Sequence, residues 1–308
     1  MRIVVAVAFI LSSALLVAQG PSPVTIRVAR VIDGRGGFVN GNAVVSVKDG
    51  KIAAVNNAPG AVTHDLSSLT LLPGFIDTHV HIGWHFDARG RYHSGPEPSD
   101  QAGPYGAENA FTTLVAGFTT VQSVGAASDK PLRDAIARGV LPGPRILTSL
   151  GSIANPKWTV EQIREDIRKK KAEGADLIKI FASASIRDGG VPTLSQEQLD
   201  AACGESRAQG LRSMAHTHTP ESMMRAARAR CTVVEHGGLA DAAALKALAD
   251  AGVYFDPNIG LVTQNYLENK ARFLGIGNYT EEGFASMEKA LGLKDAMFTA
   301  AVKTPRLK

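Results

Sequence analysis

Apolar and polar positions follow two different patterns along the chain, and the pattern changes near residue 71. Between residues 24 and 55, short runs of alternating apolar and polar residues are separated by glycine-rich turns. Asp49-Gly50 lies between two such runs, and this dipeptide favours the tight turn of a β-hairpin. We therefore predict a small antiparallel sheet here, too short to form a hydrophobic core of its own.

From residue 71 onward, short apolar runs rich in β-branched residues alternate with helical stretches. Helices are predicted over residues 159–173 and 195–209, and Ser195 is a candidate N-cap with Gln198 three residues later. Strand–helix alternation of this length predicts a parallel sheet covered by helices. The predicted strands occupy residues 74–79, 118–121, 144–147, 176–181, 211–216, 232–236 and 253–256.

These seven strands are one fewer than a closed (β/α)8 barrel needs. The last helical stretch covers residues 279–302, and an eighth strand would begin close to Lys308, the last residue. The predicted fold class is therefore α/β, a TIM-type (β/α)8 barrel that lacks its last strand. We expect the chain to be a fragment of a longer product.

The first residues are typical of a secretory signal peptide. Arg2 precedes an apolar run that continues to Val17, and Pro21 follows shortly after. We predict a signal peptide over residues 1–19, with cleavage near Ala18. An uncleaved anchor is the alternative, but the run is short for a membrane-spanning helix, which needs about 20 apolar residues. We expect export to the periplasm or the medium, with no membrane partner after cleavage.

Charge and cysteine content narrow the class of protein further. The formal net charge is +4, and the basic run at residues 168–171 ends a predicted helix, where cations complement the helix dipole. We therefore expect no nucleic-acid partner. The two cysteines, Cys203 and Cys231, are interpreted as buried free thiols, although an exported location would permit a disulfide.

Histidines recur where the predicted strands end. The first strand ends in His79 and His81, and residues two apart on a strand point to the same side. The fifth strand ends at His216, with His218 two residues on, and the sixth ends at His236. Barrel enzymes place their catalytic groups at these carboxyl ends, so the imidazoles are expected to converge on one pocket. Such sets suit zinc and related divalent ions.

Lys179 lies between Ile178 and Ile180, and burial of an unpaired ammonium is costly. Its side chain could extend to the mouth of the barrel. Alternatively, CO2 could carboxylate the amine to give an anionic carbamate that bridges two metal ions.

The stretch LPGFIDTHVH at residues 72–81 resembles the first-strand signature of the amidohydrolase superfamily. Residues 116–121, 174–180, 215–218 and 234–237 are similar to its imidazolonepropionase-related and Xaa-Pro dipeptidase-like branch. The resemblance extends from about Val24 to the C-terminus. It implies that residues 20–72 form the N-terminal part of a small β-sandwich and that residues 73–308 form the incomplete barrel.

The resemblance also implies a ligand set for two divalent metal ions, expected to be zinc. His79 and His81 would bind the more buried ion, and His216 and His236 would bind the second. Lys179, as its CO2-derived carbamate, would bridge the two.

Three further residues are implied near the substrate, although an ordinary hydrogen-bonded role is an equal alternative for each. His218 would polarise the scissile carbonyl, and His85 and Tyr254 would line the pocket. Members of the superfamily also carry an aspartate at the end of strand eight, which ligates metal and transfers the proton. Asp256 lies on the seventh strand and does not match that position.

The implied function is a metal-dependent hydrolase that uses a metal-activated hydroxide to cleave an amide or peptide-like C–N bond. A dipeptide or an N-acyl amino acid is the expected small-molecule substrate. A lactone, another ester or a cyclic amide is the alternative substrate, because pocket loops rather than the fold decide specificity. An inactive, truncated metal-binding fragment is the non-enzymatic alternative. The sequence leaves the oligomeric state open, homo-oligomers included.

Overall fold

The computed structural model describes residues 23–56, 61–93, 98–258 and 262–308. The predicted signal peptide at residues 1–19 lies outside them. The chain divides into two compact units, the first ending at Pro73 and the second extending from Gly74 to Lys308.

The first unit is a four-stranded sheet in the order β3-β2-β1-β4. Its strands are β1 (Val24–Ile32), β2 (Phe38–Lys48), β3 (Lys51–Asn56) and β4 (His64–Leu71). The hairpin predicted at Asp49-Gly50 is confirmed: both residues have positive φ angles, 52° and 71°, and β2 and β3 pair antiparallel. The strand β4 was not predicted, and it pairs parallel to β1.

The second unit alternates strands with helices. Its strands are β5 (Phe75–Val80), β6 (His85–Phe86), β7 (Tyr92–His93), β8 (Phe118–Ser123), β9 (Arg145–Thr148), β10 (Ser152–Ile153), β11 (Leu177–Phe181), β12 (Arg212–Thr217), β13 (Val233–His236) and β14 (Tyr254–Asp256). Its helices are α1 (Ser99–Val115), α2 (Asp129–Ala137), α3 (Val160–Ala172), α4 (Gln196–Ala208), α5 (Pro220–Arg228), α6 (Ala242–Ala251), α7 (Val262–Glu268), α8 (Lys270–Phe273) and α9 (Glu281–Lys303). All seven predicted strands are therefore present.

Apart from β6 and β7, which form a short antiparallel pair, these strands form two parallel sheets, β5-β8-β9 and β10-β11-β12-β13-β14. The Asp176 amide just before β11 donates to the carbonyl of Thr148 in β9 over 2.9 Å. The start of β11 therefore lies beside the end of β9, and the second sheet continues the first in chain order. On the other side, Thr78 of β5 donates to Asp256 of β14 over 2.8 Å. The second unit is thus a mixed α/β fold of the TIM-barrel-like kind, with the carboxyl ends of its strands at one face.

Apolar residues of the strands and helices form the main core, and local side-chain caps define where the helices begin. Ile178, Leu199 and Val234 are fully buried in this core. Ser195 accepts from the Gln198 amide over 3.2 Å, and the Gln198 side chain accepts in return from the Ser195 amide over 2.9 Å. The predicted N-cap is therefore confirmed as a reciprocal capping box.

Within the described residues, none of the helices has both the length and the apolar character needed to cross a membrane.

The expectation of two free thiols was wrong. Cys203 in α4 and Cys231, just before β13, form a disulfide with a Cα–Cα distance of 5.0 Å. Both residues are buried. The pairing arises because α4 packs beside the connection from α5 to β13, a tertiary contact that the cysteine spacing does not encode.

Candidate active site

A cavity of about 350 Å³ opens at the carboxyl ends of the strands in the second unit. This volume is within the range of about 300–1,000 Å³ that is usual for small-molecule sites. The polar groups on its walls include six of the residues selected from the sequence: His79, His81, Lys179, His216, His218 and His236. Apolar side chains form much of the remaining wall: Trp84, Phe181, Ile186, Val262, Tyr266, Met287, Leu291 and Met297.

The five imidazoles form one cluster. The His236 ring lies 4.9 Å from that of His79, 4.5 Å from that of His216 and 5.1 Å from that of His218, measured between centroids. His81 lies 5.5 Å from His79 and stacks on Trp84 at 3.7 Å. The parallel strands therefore bring together histidines that are more than 150 residues apart in the sequence.

The backbone turns sharply at the end of β13. His236 has a φ of 71° and Gly237 has a φ of 56°, both in the left-handed region. A Cβ atom at Gly237 would lie 2.6 Å from the Phe255 ring, so only glycine fits there without rearrangement. A positive φ angle at a non-glycine residue strains the backbone, and such strained residues are frequent at functional sites. Here the strained residue is His236, which carries the central imidazole of the cluster.

Lys179 and Glu235 form a buried ionic pair beneath the imidazoles. The Lys179 ammonium contacts Glu235 Oε2, and the side chains are 1% and 0% exposed. Glu235 Oε1 lies 3.0 Å from His79 Nδ1. Burial alone would raise the pKa of Glu235, but the charges of Lys179 and His79 outweigh it and lower the pKa to about 2. Burial lowers the pKa of Lys179, and Glu235 opposes that shift.

The residues present fit a divalent metal ion. Ligand atoms of His79, Glu235 and His236 all lie within 4.8 Å of one another. Burial, followed by the neighbouring imidazoles, lowers the pKa of both His216 and His236 well below the usual value, so both rings are neutral at physiological pH. Neutral imidazole is the form that coordinates metal, and a set of imidazole and carboxylate donors suits zinc and related ions. The group could therefore hold a metal.

His218 faces the cavity as a neutral imidazole. Burial, together with the charges of Arg187 and Lys179, lowers its pKa to about 3. Its buried Nδ1 has no hydrogen-bond partner among the described residues. This nitrogen is thus a polar group available to a molecule bound in the cavity.

The structure does not place His85 or Tyr254 on the walls of the cavity. His85 stacks on Tyr105 at 3.8 Å, which directs its ring into a local aromatic contact. Tyr254 begins β14, away from the carboxyl ends of the strands, and its side chain is 52% exposed. The structure therefore gives no support to a pocket-lining role for these two residues.

Two residues at the site, Glu235 and Arg187, were not predicted from the sequence. Glu235 carries a local signal, a carboxylate at the end of the apolar run that begins at Val233, but its partners His79 and Lys179 lie on other strands. Arg187 lies in a short 3-10 turn, Ile186–Asp188, after β11 and also lines the cavity. A lone arginine in a loop gives no sequence signal.

The sequence of the chain is similar to those of known proteins. The sequence pattern that describes the amidohydrolase family matches residues 70–300. Ochratoxinase of Aspergillus niger is 26% identical over 227 residues, which cover 60% of this chain and 47% of ochratoxinase. The chain therefore spans about half the length of the curated relatives it matches.

Solved structures resemble the fold closely. A Xaa-Pro dipeptidase with methionine bound in its active site matches with a TM-score of 0.79 and 24% identity, covering 93% of this chain and 78% of the dipeptidase. A prolidase complexed with N-methylphosphonate-L-proline gives 0.79 and 23%, covering 93% and 77%. The A. niger ochratoxinase structure gives 0.78 and 21%, covering 92% and 74%. At these identities the likeness shows the fold alone.

Proposed function

The chain belongs to the amidohydrolase family, and from that premise we propose that it is a metal-dependent hydrolase that cleaves an amide or peptide-like C–N bond of a small substrate. A dipeptide or an N-acyl amino acid is the proposed substrate. One observation carries the proposal: five imidazoles and Lys179, whose buried partner is Glu235, face a single cavity at the carboxyl ends of parallel strands. Relatives named ochratoxinase, Xaa-Pro dipeptidase and prolidase support it.

Amidohydrolases generally bind divalent metals, and we assign two ions, as zinc, to this site. His79, His81, His216 and His236 would hold them, together with Lys179 as its carbamate. Bound there, such ions supply a Lewis acid and a hydroxide that is available near neutral pH.

The chain's own residues prepare the site for this chemistry. The Glu235 carboxylate lies 3.0 Å from His79 Nδ1, which leaves the other ring nitrogen for the ligand position, as is common where a carboxylate lies behind a metal-binding histidine. His218, neutral and facing the cavity, can donate a hydrogen bond to the carbonyl oxygen of the substrate. The apolar wall excludes water from the bound substrate.

For the architecture we propose a (β/α)8-type barrel over residues 73–308, with β5, β8, β9 and β11 to β14 as seven of its strands. Residues 20–72 would form part of a small β-sandwich. We also propose that the protein is exported after removal of residues 1–19.

Metal content measured by elemental analysis tests the proposal. We expect about two divalent ions per folded chain, and a loss of at least one in Lys179→Ala. The matched control is Lys294→Ala, which removes a second cavity-lining lysine outside the imidazole cluster and should keep both ions. Circular dichroism checks that each variant is folded.

Folded protein without bound metal, or equal metal loss in both lysine variants, would contradict this assignment. A parallel assay with dipeptides, N-acyl amino acids, lactones and simple esters tests the bond type. Turnover of lactones or esters without turnover of amides would exclude the proposed C–N hydrolysis.

A further inference from the structure

The cavity that contains the imidazole cluster has a cationic lining. Apart from the histidines and Lys179, whose charge is neutralised by Glu235, its charged wall residues are Arg187 and Lys294. Among the described residues, no aspartate or glutamate belongs to the wall. An anionic molecule is therefore favoured over a cationic one.

Arg187 is held rigidly at this wall. Its Nε donates to Asn278 Oδ1 over 2.8 Å, and Asn278 in turn donates to Asp188 over 2.5 Å. The guanidinium carbon lies 4.0 Å from the ring centroid of Tyr279, in a cation–π contact. Because these contacts fix the guanidinium before any ligand binds, little conformational entropy is lost on binding.

Arg187 nevertheless lacks an acidic partner. Lys179 pairs with Glu235, and Lys294 lies 3.9 Å from Asp295. In the part of the chain that the structure describes, no carboxylate lies within 4.0 Å of Arg187 and no oxygen accepts from its terminal amino groups. A guanidinium presents these groups as a planar fork that matches a carboxylate.

The turn that carries Arg187 lies close to His218 at the cavity wall. A Cβ atom built on Gly238 would lie 3.3 Å from His218 Nδ1 and 3.8 Å from the side chain of Ile186, the residue before Arg187. The turn that carries Arg187 and the imidazole at the substrate end of the cluster are therefore neighbours. Apolar side chains from α7 and α9 complete this part of the wall: Val262, Tyr266, Met287, Leu291 and Met297.

We propose that Arg187 binds a free carboxylate of the substrate and determines specificity. This inference rests on the proposed function and names its substrate class: amides of an amino acid that carries a free α-carboxylate and an apolar side chain. Hydrolysis of such a substrate, RCO-NH-CHR′-COO⁻, adds one water and breaks the C–N bond. The products are an acyl carboxylate, RCOO⁻, and the zwitterionic amino acid.

The test compares N-acetyl-L-phenylalanine with N-acetyl-L-phenylalaninamide, which has the same acetyl amide bond but no carboxylate. Arg187→Gln should lower kcat/KM for the carboxylate about 10- to 100-fold, mainly through KM, because a charge-assisted hydrogen bond is lost. Its kcat/KM for the carboxamide should change little. Arg187→Lys should restore only part of the preference, because an ammonium lacks the planar fork.

Arg272→Gln is the matched control. Arg272 also stacks on an aromatic ring, with its guanidinium carbon 3.3 Å from the Phe86 centroid, but it does not line the cavity. This variant should keep the carboxylate preference. Equal losses on both compounds in Arg187→Gln, or a loss of preference in Lys294→Gln instead, would overturn the proposal.

Calorimetric binding of L-phenylalanine and L-phenylalaninamide separates this inference from the proposed function. If the protein hydrolyses neither compound, but binds L-phenylalanine at least 10-fold more tightly than the amide and loses this preference in Arg187→Gln, the carboxylate site stands and the hydrolase proposal fails. If the protein hydrolyses the carboxamide as well as the carboxylate, the hydrolase proposal stands and the role of Arg187 fails.

Discussion

Asp129 is a buried acid outside the cavity wall, and its surroundings differ from those of Glu235. It is 2% exposed and accepts from the Thr148 hydroxyl over 3.1 Å. Glu235 has an ammonium beside it, whereas the hydrogen-bond partners of Asp129 are neutral hydroxyl and amide groups. Burial therefore raises the pKa of Asp129, and hydrogen bonds from Ser123 and Thr148 offset only part of that shift.

Asp129→Asn should remove a pH-dependent loss of stability. The pKa of Asp129 is raised in the folded protein. The contribution of this residue to the free energy of unfolding is therefore fully present below pH 3.8, the pKa in the unfolded chain, and is lost as the pH rises through the pKa in the folded protein. The free energy of unfolding of the wild type should therefore fall, relative to Asp129→Asn, as the pH rises above about 4. Urea unfolding from pH 3.5 to 7.5 measures this difference.

Asp134→Asn, on the same helix, is the control with the opposite sign. Hydrogen bonds from Lys130 and Arg133 lower the pKa of Asp134. The contribution of Asp134 to the free energy of unfolding is present above the pKa in the unfolded chain and is lost at acid pH. Parallel pH profiles for wild type and Asp129→Asn would refute the assignment of a costly buried carboxylate.

The histidines of the site could be predicted from the sequence, but two of their partners could not. Histidine is scarce, with 8 in the chain, and four of the five cluster members lie in pairs two residues apart at strand ends. Glu235 and Arg187 lack such a pattern. Their surroundings are set by residues on distant elements, such as His79 for Glu235 and Asn278 for Arg187.

At the scale of elements, local chemistry decides where the helices begin. Two of the three helices with predicted bounds carry reciprocal capping boxes, formed by Thr159 with Gln162 in α3 and by Ser195 with Gln198 in α4. Because such contacts involve residues three apart, the sequence was sufficient to predict the cap at Ser195. The parallel strand β4 was missed because residues 64–71 lack strict alternation, and its partner β1 lies 38 residues earlier.

Ser195→Ala should destabilise the protein by about 1 kcal/mol, because the amide of Gln198 loses its acceptor. Ser195→Asp should retain most of the stability, since aspartate also caps helices. The urea midpoint of unfolding measures both changes.

Ser286→Ala is the matched control for the cap. Ser286 lies inside α9, where alanine has the higher helix propensity, so this change should be neutral or slightly stabilising. A similar loss of stability in Ser195→Ala and Ser286→Ala would show that the effect does not come from the cap.

At the scale of the whole molecule, the disulfide bears on where the protein works. Cys203 and Cys231 are buried and joined, and structural disulfides persist mainly in oxidising compartments. This observation supports our proposal that the protein is exported. It also adds a covalent constraint between α4 and the start of β13, the strand that carries Glu235 and His236.

Removal of the disulfide should lower the free energy of unfolding by about 3 kcal/mol, because the bond closes a loop of 28 residues and so restricts the unfolded chain. Urea unfolding with and without a reductant measures the difference. The double variant Cys203→Ala/Cys231→Ala should unfold at a lower urea concentration than the oxidised wild type, and reductant should not shift its midpoint. If the unreduced, denatured protein instead shows two free thiols in a thiol titration, and reductant leaves its midpoint unchanged, the pairing is absent in solution and the support it gives to export is withdrawn.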